Sequence, residues 1–324
     1  MLLFSGYRVT CPEFLLVLDK SVRAGVVPEP GQTIEFELIV QAEQRITVNT
    51  DGGKESMAGN NKTVFAVASH PDDIEFVMAG TLLLLKDRGC EIHYMNIANG
   101  SWGTSCMRRE EIIRTRREEA MNSAALLGAT YHESLVDDLD VFYDRPTVLK
   151  LTAVIREVDP DILLVQSPTD YMEDHQNAVR LAVTAAFCRG MMNAPVDPPT
   201  PVTFKDVTVY HGQPHGNRDS MRQCVYAERY VDISSVLKRK REMLACHRSQ
   251  KEWLDVSQGY DSYLDSMEQS ALSVGKLSGK FQYAEGWRRH NYVGFSADDI
   301  DPLADLLADC SWVDPEYEKS LLKR

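Results

Sequence analysis

What this chain lacks narrows what it can be. No run approaches the roughly 18 consecutive apolar residues that a membrane-spanning helix needs, so no bilayer span is expected. The seven cysteines (Cys11, Cys90, Cys106, Cys188, Cys224, Cys246 and Cys310) are odd in number, widely spaced and form no C-x-x-C pair. That pattern argues against a disulfide framework or a zinc ribbon and fits reduced thiols in a cytoplasmic protein. No G-x-G-x-x-G occurs, which argues against a nucleotide-binding oxidoreductase. No basic segment precedes an apolar one near Met1, so no signal peptide is expected. Positive charge is in short supply: 35 Lys and Arg face 48 Asp and Glu, a formal net charge of -13. Such a surface suits neither nucleic acid nor an anionic membrane. The densest basic run, Lys238-Arg239-Lys240-Arg241, falls in a helical pattern and reads as a solvated helix face.

The remaining composition is that of a globular protein, with 44% hydrophobic and 26% charged residues over 324 positions, enough for a sizeable core. Residues 1–60 read as a small β-rich extension, from the alternation in Thr33-Ile34-Glu35-Phe36-Glu37-Leu38 and the turn signal Asp51-Gly52-Gly53. Residues 61–295 read as one domain, an α/β, Rossmann-like parallel sheet flanked by helices, since strands and helices alternate from 62 to about 190. Strands are expected at 63–69, 91–97, about 130–135, 161–166 and 207–210. Helices are expected at about 74–88, 107–127, 146–158, 174–189, 235–247 and 261–275. Residues 296–324 read as a C-terminal tail, a candidate docking segment.

Thr63-Val64-Phe65-Ala66-Val67-Ala68 is apolar or β-branched almost throughout, as a buried parallel strand must be, and it runs into His70-Pro71-Asp72-Asp73-Ile74-Glu75. Asp161-Ile162-Leu163-Leu164-Val165-Gln166 is a second such strand, running into Asp170-Tyr171-Met172-Glu173-Asp174-His175. Ligands bind outside the carboxyl ends of parallel strands, and both clusters fall on that rim. His70, Asp73 and His175 would make a two-imidazole, one-carboxylate set suited to zinc or non-haem iron, with Asp72 as a base beside it. Asp72, Asp73 and Asp174 also stand where helix N-termini favour carboxylates, so a capping role accompanies the metal reading.

His70-Pro71-Asp72-Asp73-Ile74-Glu75 with Ala79-Gly80-Thr81-Leu82 resembles the opening signature of the PIG-L/LmbE family of zinc-dependent de-N-acetylases. Arg116-Arg117-Glu118-Glu119-Ala120, Asp174-His175, Val231-Asp232-Ile233-Ser234, His247-Arg248-Ser249-Gln250 and Tyr283-Ala284-Glu285-Gly286 are similar to further landmarks of that family. The resemblance spans about 62–295. It implies Zn²⁺ held by His70, Asp73 and His175, Asp72 as the general base, Arg116 as a substrate-contacting or charge-stabilising residue, and Asp174 as the partner that orients an active-site histidine. It also implies a homo-oligomer, a trimer or hexamer, acting on a small amino-sugar substrate.

Where many family members carry a His three residues before the last ligand, this chain has Met172, whose thioether cannot donate a hydrogen bond. His215, or else His211, in Tyr210-His211-Gly212-Gln213-Pro214-His215-Gly216 is the candidate for the missing donor, with an exposed loop histidine as the plainer alternative. Trp102 and Tyr171 are candidate substrate contacts, Trp102 by stacking on a sugar ring unless it is simply packed. His93 and His132 read as structural. The expected activity is removal of an N-acyl, chiefly N-acetyl, group from an amino sugar or related conjugate. The alternatives are a non-catalytic carbohydrate-binding or scaffolding relative and an amidase acting on a non-sugar amide.

Overall fold

In the computed structural model, which describes residues 62–257 and 263–322, an eight-stranded mixed sheet carries helices on both faces. β1 (Thr63–Ala68), β2 (Glu91–Asn96), β3 (Thr130–His132), β4 (Ile162–Val165) and β5 (Thr208–Gly212) run parallel in the order β3-β2-β1-β4-β5. β7 (Ala284–Arg289), β6 (Arg229–Asp232) and β8 (Ser311–Val313) then extend the sheet through antiparallel pairs. The sheet is therefore parallel only in its first five strands. The β-rich extension expected over 1–60 lies outside the described residues.

The alternation of side chains along β1 divides the core. Val64, Ala66 and Ala68 pack on one face with Leu82, Leu83 and Ala120; Phe65 and Val67 pack on the other with Leu151, Ile155 and Leu181. The first face is covered by α2 (Ala79–Asp87) and α3 (Arg109–Leu127), the second by α4 (Arg145–Val158) and α5 (Glu173–Cys188). Successive connections thus change face between β1 and β4, the crevice where open α/β sheets bind ligands. Each leucine buried in these layers contributes about 1.5–3 kcal/mol relative to exposure.

The single helix expected over about 74–88 is two, α1 (Asp73–Val77) and α2, broken at Met78 with φ -131. Glu285 on β7 takes over at the break, accepting from Gly80 N at 2.8 Å and Thr81 N at 2.7 Å. A Cβ on Gly80 would meet Ile233 Cγ2 at 2.6 Å, so this approach requires glycine. A third donor to Glu285 is the fully buried Lys240 Nζ, 2.6 Å from Oε1. Lys240 lies on α6 (Leu237–Leu244), so the basic run read as a solvated face is one in part only. The other three stay at the surface, Lys238 beside Glu242, Arg239 paired with Asp87, and Arg241 with Asp265 and Glu268.

β6 and β7 bring two landmark motifs into one ladder, Val231 opposite Glu285. α7 (Arg248–Ser257) and α8 (Tyr263–Ser278) connect them. The segment after 296, expected as a separate tail, is an edge of the same sheet: α9 (Pro302–Leu306) leads to β8, which pairs with β6, and α10 (Pro315–Leu321) follows. Asp301 anchors it, capping α9 and accepting from Tyr210 Oη at 2.7 Å and Arg229 Nη2 at 2.5 Å. Among the described residues no helix is long and apolar enough to cross a membrane.

Candidate metal centre

The turn after β1 is held from three sides. Ser69 N donates to Gln166 Oε1 at 2.8 Å, joining the ends of β1 and β4. Asn96 Nδ2 donates to His70 O at 2.7 Å, and His70 N donates to Asp73 Oδ2 at 2.7 Å. Asp72 closes the turn in the left-handed region, φ 109, a costly conformation for a non-glycine residue. Such strain persists only where surrounding contacts impose it. Here they do: Tyr263 Oη donates to Asp72 Oδ2, and the Arg116 guanidinium lies 3.7 Å from Oδ1.

His70, Asp73 and His175 converge, their candidate ligand atoms all within 4.8 Å of one another. His70 Nδ1 and His175 Nε2 each stand 3.4 Å from an Asp73 oxygen. The other nitrogen of each ring is held by a carboxylate: His70 Nε2 by Asp174 Oδ2 at 2.9 Å, and His175 Nδ1 by Asp170 Oδ1 at 3.0 Å. Such carboxylate partners fix tautomer and ring orientation at metal sites. Asp174 does not cap α5. Met172 occupies that position without a side-chain bond, while the Asp174 carboxylate is drawn to His70 and to Leu139 N, 2.8 Å away.

Electrostatically the cluster calls for a cation. Burial disfavours charge on His70, but its bonds to Asp174 and Asp73 outweigh this and push its pKa up to about 10. Burial likewise opposes ionisation of Asp73, yet His175, His215 and His70 hold it well below the usual carboxylate range. Burial pushes Asp72 upward, against the pull of Arg116. Two imidazoles and one carboxylate, each pre-oriented and buried, are the donor set of an open zinc-type site, so the residues fit a divalent metal.

Arg116 is buried and donates to Pro71 O at 2.5 Å. Gly100 and Gly103 lie directly over its guanidinium, and a Cβ on either would come within 2.6 Å of it. Three residues on, Glu119 accepts from Ser249 N at 2.9 Å and Ser249 Oγ at 2.6 Å, fixing the start of α7. His247, just before that helix, faces the buried Glu75 at 3.4 Å. The landmark motifs are therefore in contact with one another around the turn that holds Asp72.

His215 stands at the centre, its Nε2 3.9 Å from Asp73 Oδ1 and its ring 5.8 Å from that of His175. His211 does not; it bonds His290 Nδ1 at 2.9 Å, away from the ligands. Trp102 and Tyr171 flank the mouth of a cleft of about 460 Å³, exposed by 62% and 64%. His93 and His132 bond each other at 2.8 Å, remote from this cleft. Sequence reasoning assigned no role to Asp170, Tyr263 or Asp138. Asp170 was legible as a carboxylate in the same cluster as His175. Asp138, which accepts from Gly100 N and Trp102 N, and Tyr263 carry no local signal.

An open α/β sheet with a two-histidine, one-carboxylate centre at its switch point defines the class. A family model, PIG-L, described as GlcNAc-PI de-N-acetylase, matches residues 65–187. The diacetylchitobiose deacetylase of Thermococcus kodakarensis is 31% identical over 235 residues, 70% of this chain and 82% of the relative. The chain belongs to the PIG-L family. A second relative, the 4-oxalmesaconate hydratase of Pseudomonas putida, is 28% identical over 199 residues, 59% of this chain and 74% of the relative. Among solved structures, the N,N'-diacetylchitobiose deacetylase of Pyrococcus horikoshii superposes with a TM-score of 0.61 at 23% identity, covering 75% of this chain and 89% of the other.

Proposed function

We propose that this chain is a zinc-dependent hydrolase that removes an N-acyl, chiefly N-acetyl, group from an amino sugar or related conjugate. The observation that carries this reading is the meeting of His70, Asp73 and His175 beside a buried, separately held carboxylate, Asp72, at the floor of an open cleft. Zinc held by those three residues supplies Lewis acidity toward an acyl carbonyl and toward water.

Asp72 is the general base. Its Oδ2 is occupied by Tyr263, which leaves Oδ1 to take the proton. Arg116 is committed to Pro71 O and faces Asp72, so it serves by holding the base in place. His215 is the donor to the developing oxyanion or the departing amine, the part that Met172 cannot play. Its ring is steadied by Phe76 at 5.3 Å, and its backbone N–H by Asp170 Oδ2 at 3.2 Å. Trp102 and Tyr171 offer aromatic faces to a sugar ring at the mouth.

The Pseudomonas relative supports a second reading, addition of water to an unsaturated acid. The scarcity of basic side chains in the cleft argues for the first. Among the described residues Arg116 is its one lysine or arginine, already facing Asp72, so an acidic substrate would find few counter-charges.

Metal content and product identity test both readings. Wild type is expected to hold about one zinc, as a three-ligand site does, and to release amine from N-acetylglucosamine-type substrates. His175→Ala loses the metal. Asp72→Asn keeps it while turnover falls about 10²- to 10⁴-fold, the span of general acid–base catalysis. Hydration of an unsaturated acid without amine release establishes the second reading. A metal-loaded protein that performs neither reaction removes both.

A further inference from the structure

A second cavity, of about 270 Å³, shares no lining residue with the metal cleft. Pro168, Val179 and Val183 form its apolar walls, and its polar groups come from Tyr143, Arg180, Thr184, His211 and His290. No carboxylate lines it, in a chain whose net charge is -13.

Arg288 does not line this cavity but neighbours His211, which does. It lies opposite His211 in the β5–β7 register, and directly opposed residues of an antiparallel pair project to the same face. Its Nη2 donates to Ser167 Oγ at 2.9 Å, while its buried Nε has no partner among the described residues. The buried Nε atoms of Arg116 and Arg229 are likewise unpaired, but each of those guanidiniums faces a carboxylate. Arg229 meets Asp301, Arg289 meets Glu228, and Arg156 and Arg189 donate to backbone carbonyls. Arg180, exposed at the cavity rim, lies 4.4 Å over the Tyr143 ring. A buried donor left unpaired is costly, and guanidinium groups match planar or tetrahedral oxyanions.

We propose that this cavity binds a compact oxyanion, a carboxylate or phosphate borne by a small, partly apolar molecule, with Arg180 and Arg288 as its counter-charges and the valines against its apolar part. The His211–His290 pair supports the assignment. Burial first, then the positive neighbours His290 and Arg288, bring the His211 pKa down to about 3. The ionisable groups around the pair are Arg180 from α5, Tyr143 from the loop before α4 and Arg288 from β7, with Tyr317 of α10 beside Arg288. With His211 held uncharged near neutrality, the positive charge that meets the anion comes from the two arginines.

Calorimetric titration of the metal-loaded protein tests this with two probes. Sulfate, whose charge is constant near neutrality, stands for the phosphate source; propionate stands for the carboxylate source. Saturable binding of either is expected, with the tighter probe naming the source. Arg180→Gln, on an exposed helix position, and Arg288→Gln should each weaken it about tenfold, the scale of a lost charge-assisted hydrogen bond. His175→Ala should leave it unchanged. Binding that survives both arginine substitutions, binding lost with His175→Ala, or no saturable binding of either probe overturns the proposal.

Discussion

The parallel and antiparallel parts of the sheet serve the metal centre in different ways. From the parallel part come His70, Asp73 and His175, delivered by two strand ends held side by side through Ser69 and Gln166. From the antiparallel part and its helices comes none of these three, yet that part holds the elements on which they stand. Tyr263 of α8 grips Asp72, Glu285 of β7 terminates the break before α2, and Ser249 of α7 meets Glu119. Ligands can sit on short loops because the sheet positions both loops at once. Holding the neighbouring Asp72 carboxylate needs contacts from several directions, and those come from distant chain.

The comparison breaks most sharply at Lys240 and Glu285. Glu285→Gln leaves a buried ammonium without its counter-ion and should cost about 3–5 kcal/mol, read by urea denaturation. A fully apolar pair, Lys240→Met with Glu285→Leu, should recover much of that loss, since the desolvation penalty vanishes with the charges. If the single and double substitutions are equally damaging, the cap on α2 rather than the charge pair is what matters.

Tyr263→Phe separates positioning from ligation. It should lower kcat by about tenfold or more, the worth of a hydrogen bond to a charged group, with KM and metal content nearly unchanged. Loss of metal together with activity would instead make Tyr263 part of the scaffold for the ligands.

Asp301 tests how firmly the C-terminal edge belongs to the sheet. Burial raises its pKa, but Tyr210 and Arg229 outweigh it and hold it low. A carboxylate depressed on folding stabilises the native state above its unfolded pKa, about 4, and loses that contribution as the pH falls toward its folded value. Asp301→Asn should therefore cost about 1–3 kcal/mol at neutral pH, with a flatter acid limb, measured by thermal unfolding across the acid range. An unchanged acid limb would remove Asp301 as the anchor.

The smallest effect is expected at the cleft mouth. Trp102→Ala removes a stacking face worth about 0.5–1.5 kcal/mol, so KM for an amino-sugar substrate should rise severalfold while kcat holds. A substrate-independent loss of kcat would place Trp102 in loop packing instead.

The parallel half was legible because its signals are local. Apolar runs ending in His-Pro-Asp-Asp and in Asp-His announce strands and their rim residues, and Gly128, in the left-handed conformation, ends α3 at the end of the helix expected over 107–127. β6 and β7 were not legible: Arg-Tyr-Val-Asp and Ala-Glu-Gly-Trp-Arg-Arg put charged residues where buried strands carry apolar ones. Those charges are tolerated only because Glu285 finds Lys240, Arg229 finds Asp301 and Arg289 finds Glu228, partners remote in sequence. The continuous helix expected over about 74–88 failed for the same reason, since Glu285 satisfies the amides freed at Met78.

By itself, the amino-acid sequence determined which residue types stand at the ends of β1 and β4, and with them the two imidazoles and the carboxylate suited to a metal. Hydrophobic patterning dictates where a strand begins and stops, and the residue just beyond its carboxyl end can only be on the rim. Tertiary structure alone decided that the histidine bonded to Asp174 is His70 and that Asp174 does not cap α5, that Asp170 bonds His175, and that Tyr263 holds Asp72, and it placed His215, the preferred of two candidates, next to Asp73. Each of those outcomes is a choice among hydrogen-bond partners, and a buried polar group takes whichever partner the packing of distant elements brings within reach.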